Sequence, residues 1–184
     1  MNKTREQLEA LATDLVQRDG LSSFSFRTLA DQVGIKSASV HYHFPAKADL
    51  ANALIEEYSE HFRGDLEAIS QRPDSLRVKL ESLIAIFEGV LAENKLCLCG
   101  ALAAEASSLD ETGQRLLRRY FDASVTWIEE TLEAHPDQVR TPIPPPQLAR
   151  VLFSGLEGAL LLDRVGEDQE HLAAMRALVH SVTL

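Results

Sequence analysis

The run from Phe24 to Asp49, FSFRTLADQVGIKSASVHYHFPAKAD, constrains the chain more than any other stretch. It reads as two short helices joined by a tight turn. Phe26, Leu29, Ala30 and Val33 recur at the spacing of one helical face, and Ser25 just ahead of them is a suitable N-cap. Gly34 supplies the permissive backbone that a helix-to-helix turn needs, and Ile35 is the apolar plug between the two helices. The second helix, about 37–44, buries Val40 and Phe44 and turns Lys36, Ser37, Ser39, Tyr42 and His43 outward. These are a flexible cation, short hydroxyls and amphipathic rings, groups that reach phosphates and base edges. Pro45 ends that helix, and Lys47 falls in the first turn of the next. A cation is unfavourable there, which points to a phosphate partner. The pattern is a helix-turn-helix, with Arg27, Thr28, Lys36, Ser37, Ala38, Ser39, His41, Tyr42, His43 and Lys47 as candidate contacts to double-stranded DNA.

A formal net charge of −10 looks wrong for a DNA-binding chain until it is divided along the sequence. Residues 1–47 carry six Lys/Arg and five Asp/Glu, whereas residues 48–184 carry twelve and twenty-three. The acidic excess therefore lies outside the DNA-facing stretch, where it weakens non-specific attraction to the backbone. An apolar share of 45% suffices for a packed core. Met1 is followed by polar Asn2-Lys3-Thr4, no apolar run approaches the ~18 residues of a membrane span, and the two cysteines make no disulfide framework. The expectation is a cytoplasmic protein with no membrane contact.

The stretch from residue 20 to residue 54 closely resembles the DNA-binding domain of the TetR family of transcriptional repressors. The resemblance rests on Gly20, Leu29-Ala30, Val33-Gly34-Ile35, the run Ser39-Val40-His41-Tyr42-His43-Phe44, and Lys47. Two positions depart from the pattern: Phe26 stands where a small hydroxyl residue is frequent, and His41 where an aromatic one is. The resemblance implies an all-α chain of about nine helices, with a three-helix DNA-binding domain over 1–47 and a ligand-sensing and dimerisation domain over 48–184. It also implies a homodimer on a palindromic operator and an unidentified small-molecule inducer.

Helical periodicity continues through the rest of the chain. The first helix is expected over 4–18, with Leu8, Leu11 and Leu15 as its buried stripe. A long fourth helix runs over 46–69, a fifth over 74–93, a sixth over 96–107 and a seventh over 111–134. Thr141 to Pro146 forms a stiff, non-helical connector. The eighth helix, 147–165, is apolar on nearly all sides, and the ninth covers 168–182. Because an all-round apolar helix must be covered on both sides, the eighth and ninth are assigned to a two-fold interface. Leu152, Gly155, Ala159, Leu162, Met175 and Val179 are its candidate residues, with Gly155 and Gly158 allowing close approach.

Outside the head, Cys97 and Cys99 support two readings. Near a helix start and Lys95, a thiol can ionise and react; Cys97-Leu98 followed by Ala104-Glu105 also resembles the family's electrophile- and oxidant-sensing members. Alternatively both are small core residues. No further Cys or His lies close enough in sequence for a metal site, and no cofactor is expected. Phe62, Phe87, Tyr120, Phe121 and Trp127 are core rings, some of which should line an inducer site. His61 and His135 are read as surface residues. Glu157 shares a polar stripe with Arg150, Ser154 and Arg164, either pairing at the dimer seam or orienting an inducer. No phosphate loop, metalloprotease motif or nucleophile elbow is present, so an enzyme is not expected. A DNA binder without any ligand is the remaining alternative, disfavoured by the size of the second domain.

Overall fold

A computed structural model describes residues 3–166 and 170–184. Among them it has nine α-helices and no strand: α1 (Lys3–Asp19), α2 (Phe26–Val33), α3 (Ser37–His43), α4 (Lys47–Ser70), α5 (Leu76–Ala92), α6 (Leu98–Ala104), α7 (Glu111–Glu133), α8 (Pro145–Val165) and α9 (Glu170–Val182). The all-α architecture expected from periodicity is the one found. The expected start of the last helix at residue 168 lies outside the described residues.

Local chemistry accounts for most helix ends. Ser75 caps α5, its hydroxyl accepting from the Val78 N–H. Asn94, in left-handed backbone at φ 56°, follows α5. α8 begins at Pro145, two residues before the expected start. Proline suits the first helical turn, where its missing N–H has no partner to lose, and Pro144 ahead of it is extended at φ −61°, ψ 145°. α6 is shorter than expected, giving way to a 3₁₀ turn at Ala106–Ser108. In α1 the buried stripe is Leu8, Ala12 and Val16, while Leu11 and Leu15 are only half-buried. The helix is rolled so that the Leu8–Ala12–Val16 row, rather than Leu11 and Leu15, faces the core.

Two compact units emerge from the packing: Met1–Glu60 with Leu98–Arg119, and His61–Cys97 with Tyr120–Leu184. This is a division by packing; the boundary drawn after residue 47 is one of roles. In the first unit α6 packs on α1, and α2 on both α1 and α3. In the second, α5, α8 and α9 pack pairwise. Lys79 is buried there and donates to the carbonyls of Ile69 (3.0 Å), Ser70 (2.9 Å) and Arg72 (2.7 Å). A cation thereby answers carbonyls left open where α4 ends.

Asp163 performs the opposite service for α9. Its carboxylate accepts from the backbone N–H of His171 (3.0 Å) and of Leu172 (2.8 Å), and meets His171 Nδ1 at 2.7 Å. Burial pushes this carboxyl up, but the Leu172 and His171 N–H groups and the His171 ring outweigh it and hold it below the ordinary carboxylate range. Replacing Asp163 with Ala removes the cap and should cost about 1–2 kcal/mol in urea unfolding at neutral pH. A lowered folded-state value means that the stabilisation is present above the unfolded value and lost as pH falls through the folded one. The gap between wild type and Asp163→Ala should therefore narrow in acid.

Candidate functional site

The head is assembled from local signals that close on one another. Ser25 and Thr28 form a reciprocal cap on α2: the Thr28 N–H donates to Ser25 Oγ (3.2 Å) and the Ser25 N–H to Thr28 Oγ1 (2.9 Å). Gly34 takes φ 79°, and the N–H groups of Gly34 and Ile35 both donate to Ala30 O. Leu29, Ala30, Val40 and Phe44 are buried. That leaves one face of α3 open. Tyr42 is 82% exposed, Lys36, Ala38 and His41 are exposed, and Ser37, Ser39 and His43 are half-buried. Arg27 and Thr28 are exposed on α2. The two positions that depart from the TetR pattern meet: the Phe26 and His41 rings pack edge to face at 5.0 Å. The aromatic partner missing at position 41 is thus answered by the one gained at position 26.

Lys47 is placed differently from expectation. Its ammonium donates to Phe24 O and lies 4.4 Å from the centre of the Phe24 ring. Burial lowers its pKa, with Glu105 acting in the opposite direction. The first-turn cation, read in sequence as a phosphate contact, here ties the start of α4 to the strand of chain ahead of α2. Sequence reasoning also missed Glu105. Its carboxylate accepts from the Leu21 N–H (2.6 Å), the Ser22 N–H (3.1 Å) and the Ser22 hydroxyl, holding the turn between α1 and α2. A Cβ on Gly20, at φ 85°, would lie 2.5 Å from Glu105 Oε1, so glycine there is required twice over.

In the second unit the expected rings come together. Tyr120 is the hub, with centroids 5.4 Å from Phe62, 5.4 Å from Phe121 and 6.4 Å from Phe153. Phe87 joins at 6.5 Å from Phe62 and 6.2 Å from Phe153. Trp127 is anchored elsewhere, its Nε1 donating to Ser70 Oγ (2.7 Å). Phe153 belongs to the cluster but was not foreseen, although it sits one helical turn before Glu157 on the same face of α8.

Polar chemistry enters the cluster at one place. Cys97 Sγ lies 3.4 Å from the Tyr120 hydroxyl, and its thiol also hydrogen-bonds to Glu157. With the thiol's single hydrogen directed at the carboxylate, the Tyr120 hydroxyl donates to sulfur. Glu157 Oε1 is buried with no hydrogen-bond partner. Burial pushes this carboxyl up to about 7, the Cys97 contact lowering it in part. Cys97 and Cys99 are both buried, which shields them from bulky reagents.

Residues 10–54 match the profile of the bacterial regulatory proteins, tetR family. A TetR transcriptional regulator from Legionella pneumophila superposes with a TM-score of 0.90 at 32% identity, over 100% of this chain and 99% of that one. The chain belongs to the TetR family. A TetR-family transcriptional regulator from Agrobacterium tumefaciens gives a TM-score of 0.93 at 26% identity over 98% of each chain. The nucleoid occlusion factor SlmA of Marinobacter nauticus is 29% identical over 130 residues, 70% of this chain and 66% of that protein. The chain thus spans just under two thirds of that curated relative. As a TetR-family protein it is a DNA-binding regulator with a helix-turn-helix, and not an enzyme. Members typically dimerise. No helix among the described residues is long and apolar enough to cross a membrane.

For a TetR-family dimer, the structure turns inward most of the face read in sequence. Leu152, Ala159 and Val179 are buried within their own chain. Gly155 faces Met175, whose sulfur would lie 2.6 Å from an added Cβ, so this pair forms the α8–α9 contact. Leu162 alone of the six is largely exposed, at 53%. It shares an open apolar stripe on α8 with Val151, Leu161 and Val165. A helix apolar all round gives no sequence signal of which side its own chain covers.

Glu157 supplies a pH test. The folded chain keeps this proton up to about pH 7, whereas the unfolded chain releases it near 4.5. Unfolding therefore releases a proton between those values, and the stability tied to Glu157 falls as pH rises across that window. Glu157→Gln should unfold at about the same temperature as wild type at pH 4.5 and at a higher one at pH 8, by thermal melts in matched buffers.

Proposed function

We propose that this protein is a homodimeric repressor that holds a palindromic operator and releases it when a small, largely apolar inducer occupies the ring cluster around Tyr120. The observation that carries this reading is Glu157 Oε1, buried and unanswered, on a side chain that meets Cys97 where that thiol meets Tyr120, the hub of the ring cluster. A unit serving only to dimerise has no use for such an atom, because leaving it unpaired costs about 1–3 kcal/mol. A binding site does, since a few polar groups in an apolar wall give a ligand its orientation. The inducer acts through whatever preference it has for the conformer whose two reading helices no longer fit their half-sites.

On the DNA side, Lys36, Tyr42, His43 and the hydroxyls of Ser37 and Ser39 are the proposed contacts, with Arg27, Thr28, Ala38 and His41 beside them. Lys47 is proposed to act within the head rather than on a phosphate. Operator fragments drawn from the region upstream of the gene serve as targets. Tyr42→Ala should weaken specific binding by about 1–3 kcal/mol, and Lys36→Ala should reduce the slope of log K against log salt by about 1. Lys47→Ala should lower the melting temperature of the protein while leaving that slope intact; a reduced slope would return Lys47 to the phosphate contacts.

The α8 stripe is the proposed dimer seam. Leu161→Glu with Leu162→Glu places two like charges per subunit in it, and light scattering should then report a monomer with weakened operator binding. A dimer of unchanged mass would move the seam elsewhere.

A second reading, a thiol sensor, is favoured by Cys97 lying against both Tyr120 and Glu157. A small electrophile that releases operator from wild type but not from Cys97→Ser would establish it.

A further inference from the structure

The surroundings of Glu157 carry an inference about the chemical class of the inducer, which rests on the inducer-site reading above. Three cations of the same unit have partners of their own. Lys79 donates to the carbonyls of Ile69, Ser70 and Arg72. Arg176 pairs with Glu88 at 2.7 Å, and Arg150 donates to Pro146 O at 2.8 Å. The Cys97 thiol is the hydrogen-bond donor Glu157 has, and Oε1 is left without one.

The rings that gather on Tyr120 set the sign of what can approach. Their faces carry negative charge density and their edges positive. Their faces attract a cation within about 6 Å of a centroid. A carboxylate in the same wall disfavours an anion. A neutral hydrocarbon would leave Oε1 unanswered. A quaternary ammonium would bring charge but no hydrogen to donate. A protonated amine brings both.

We propose that the inducer is a small primary or secondary amine bound as its ammonium ion, an N–H donating to Glu157 Oε1 and the hydrocarbon body lying among Phe62, Phe87, Tyr120 and Phe153. Binding carries a proton balance. With the carboxyl pushed up to about 7 by burial, part of the free protein holds the proton at neutral pH. An ammonium arriving already protonated ionises Glu157, and the displaced proton leaves to the buffer. Cys97 is a titratable group in contact with Glu157, and it in turn meets the Tyr120 hydroxyl.

The test is calorimetry on the full-length protein at pH 7, with hexylamine, hexan-1-ol and hexanoate as probes, each in two buffers of different ionisation enthalpy. Hexylamine should bind wild type at least tenfold more tightly than hexan-1-ol and release a fraction of a proton. Glu157→Gln should lose that preference while still binding the alcohol. Hexanoate should be the weakest of the three. Equal binding of amine and alcohol by wild type overturns the ammonium assignment and leaves the apolar inducer site standing. An amine preference undiminished in Glu157→Gln places the ammonium on another group and also overturns it. Failure of all three probes to bind wild type overturns the assignment and the inducer site together. Should Glu157→Gln fail to give a native circular dichroism spectrum, the proton release and the amine-to-alcohol ratio in wild type decide the matter. No proton release and no tenfold ratio defeat the proposal.

Discussion

The surface that meets DNA is made from helices of eight and seven residues, and helices shorter than about 12–15 residues barely persist in water. The positions of Tyr42, Lys36 and Ser39 are therefore not properties of α3. They are set by what buries Val40 and Phe44 beneath it and Leu29 and Ala30 beside it. Around that small core stand clamps that each join segments distant in sequence. Glu105 holds the α1–α2 turn from 83 and 84 residues away. Lys47 reaches back 23 residues to Phe24, and Arg5 lies 4.8 Å from the centre of the Phe44 ring. Because the reading helix owns so little stability itself, a loss at any clamp is felt at the DNA surface.

That dependence decides how much was legible in the sequence. Ser25 as an N-cap and Gly34 as a left-handed turn could be read because both act within four residues of themselves, and the structure has both. The all-α class followed from periodicity together with the family resemblance. Glu105 could not be read: a carboxylate binding backbone N–H groups leaves no pattern in the partner's sequence, since every residue has that donor. Lys47 shows a related limit. A cation in a first turn does want an anion or a lone pair, and sequence offered a phosphate where folding supplied the Phe24 carbonyl and ring. The dimer stripe failed on symmetry: α8 presents Leu152 and Ala159 on one side and Leu161 and Val165 on another, chemically alike until the fold covers one of them.

The role proposed for Glu157 rests on what its burial costs. The core of the second unit solves its polar problems thoroughly elsewhere. Lys79 meets three carbonyls, Asp163 meets two N–H groups and an imidazole, and the Ser124 hydroxyl donates to Tyr120 O at 2.7 Å. Against that standard, a buried carboxylate oxygen left open next to the Cys97 thiol is a local inconsistency, of the kind found where stability has been given up for a task. The sequence hinted at it, since an acidic residue on a largely apolar helix goes to the rim, to a cap as Asp163 does, or to a purpose. The fold places Cys97 against it, which supports the proposed purpose.

The uneven charge of the chain acts on both proposed partners through one sign. Residues 48–184 carry twenty-three acidic and twelve basic residues, against five and six in residues 1–47. An acidic body repels the phosphate backbone wherever the head is not in register, which lowers non-specific binding. The same field concentrates organic cations and excludes anions. Salt separates the two effects. Operator binding falls steeply with ionic strength because phosphate contacts release counterions, whereas an ammonium seated on a buried carboxylate is screened little once bound. A site that prefers cations therefore needs its carboxylate inside, out of reach of the salt that governs the DNA contacts, and Glu157 Oε1 is inside.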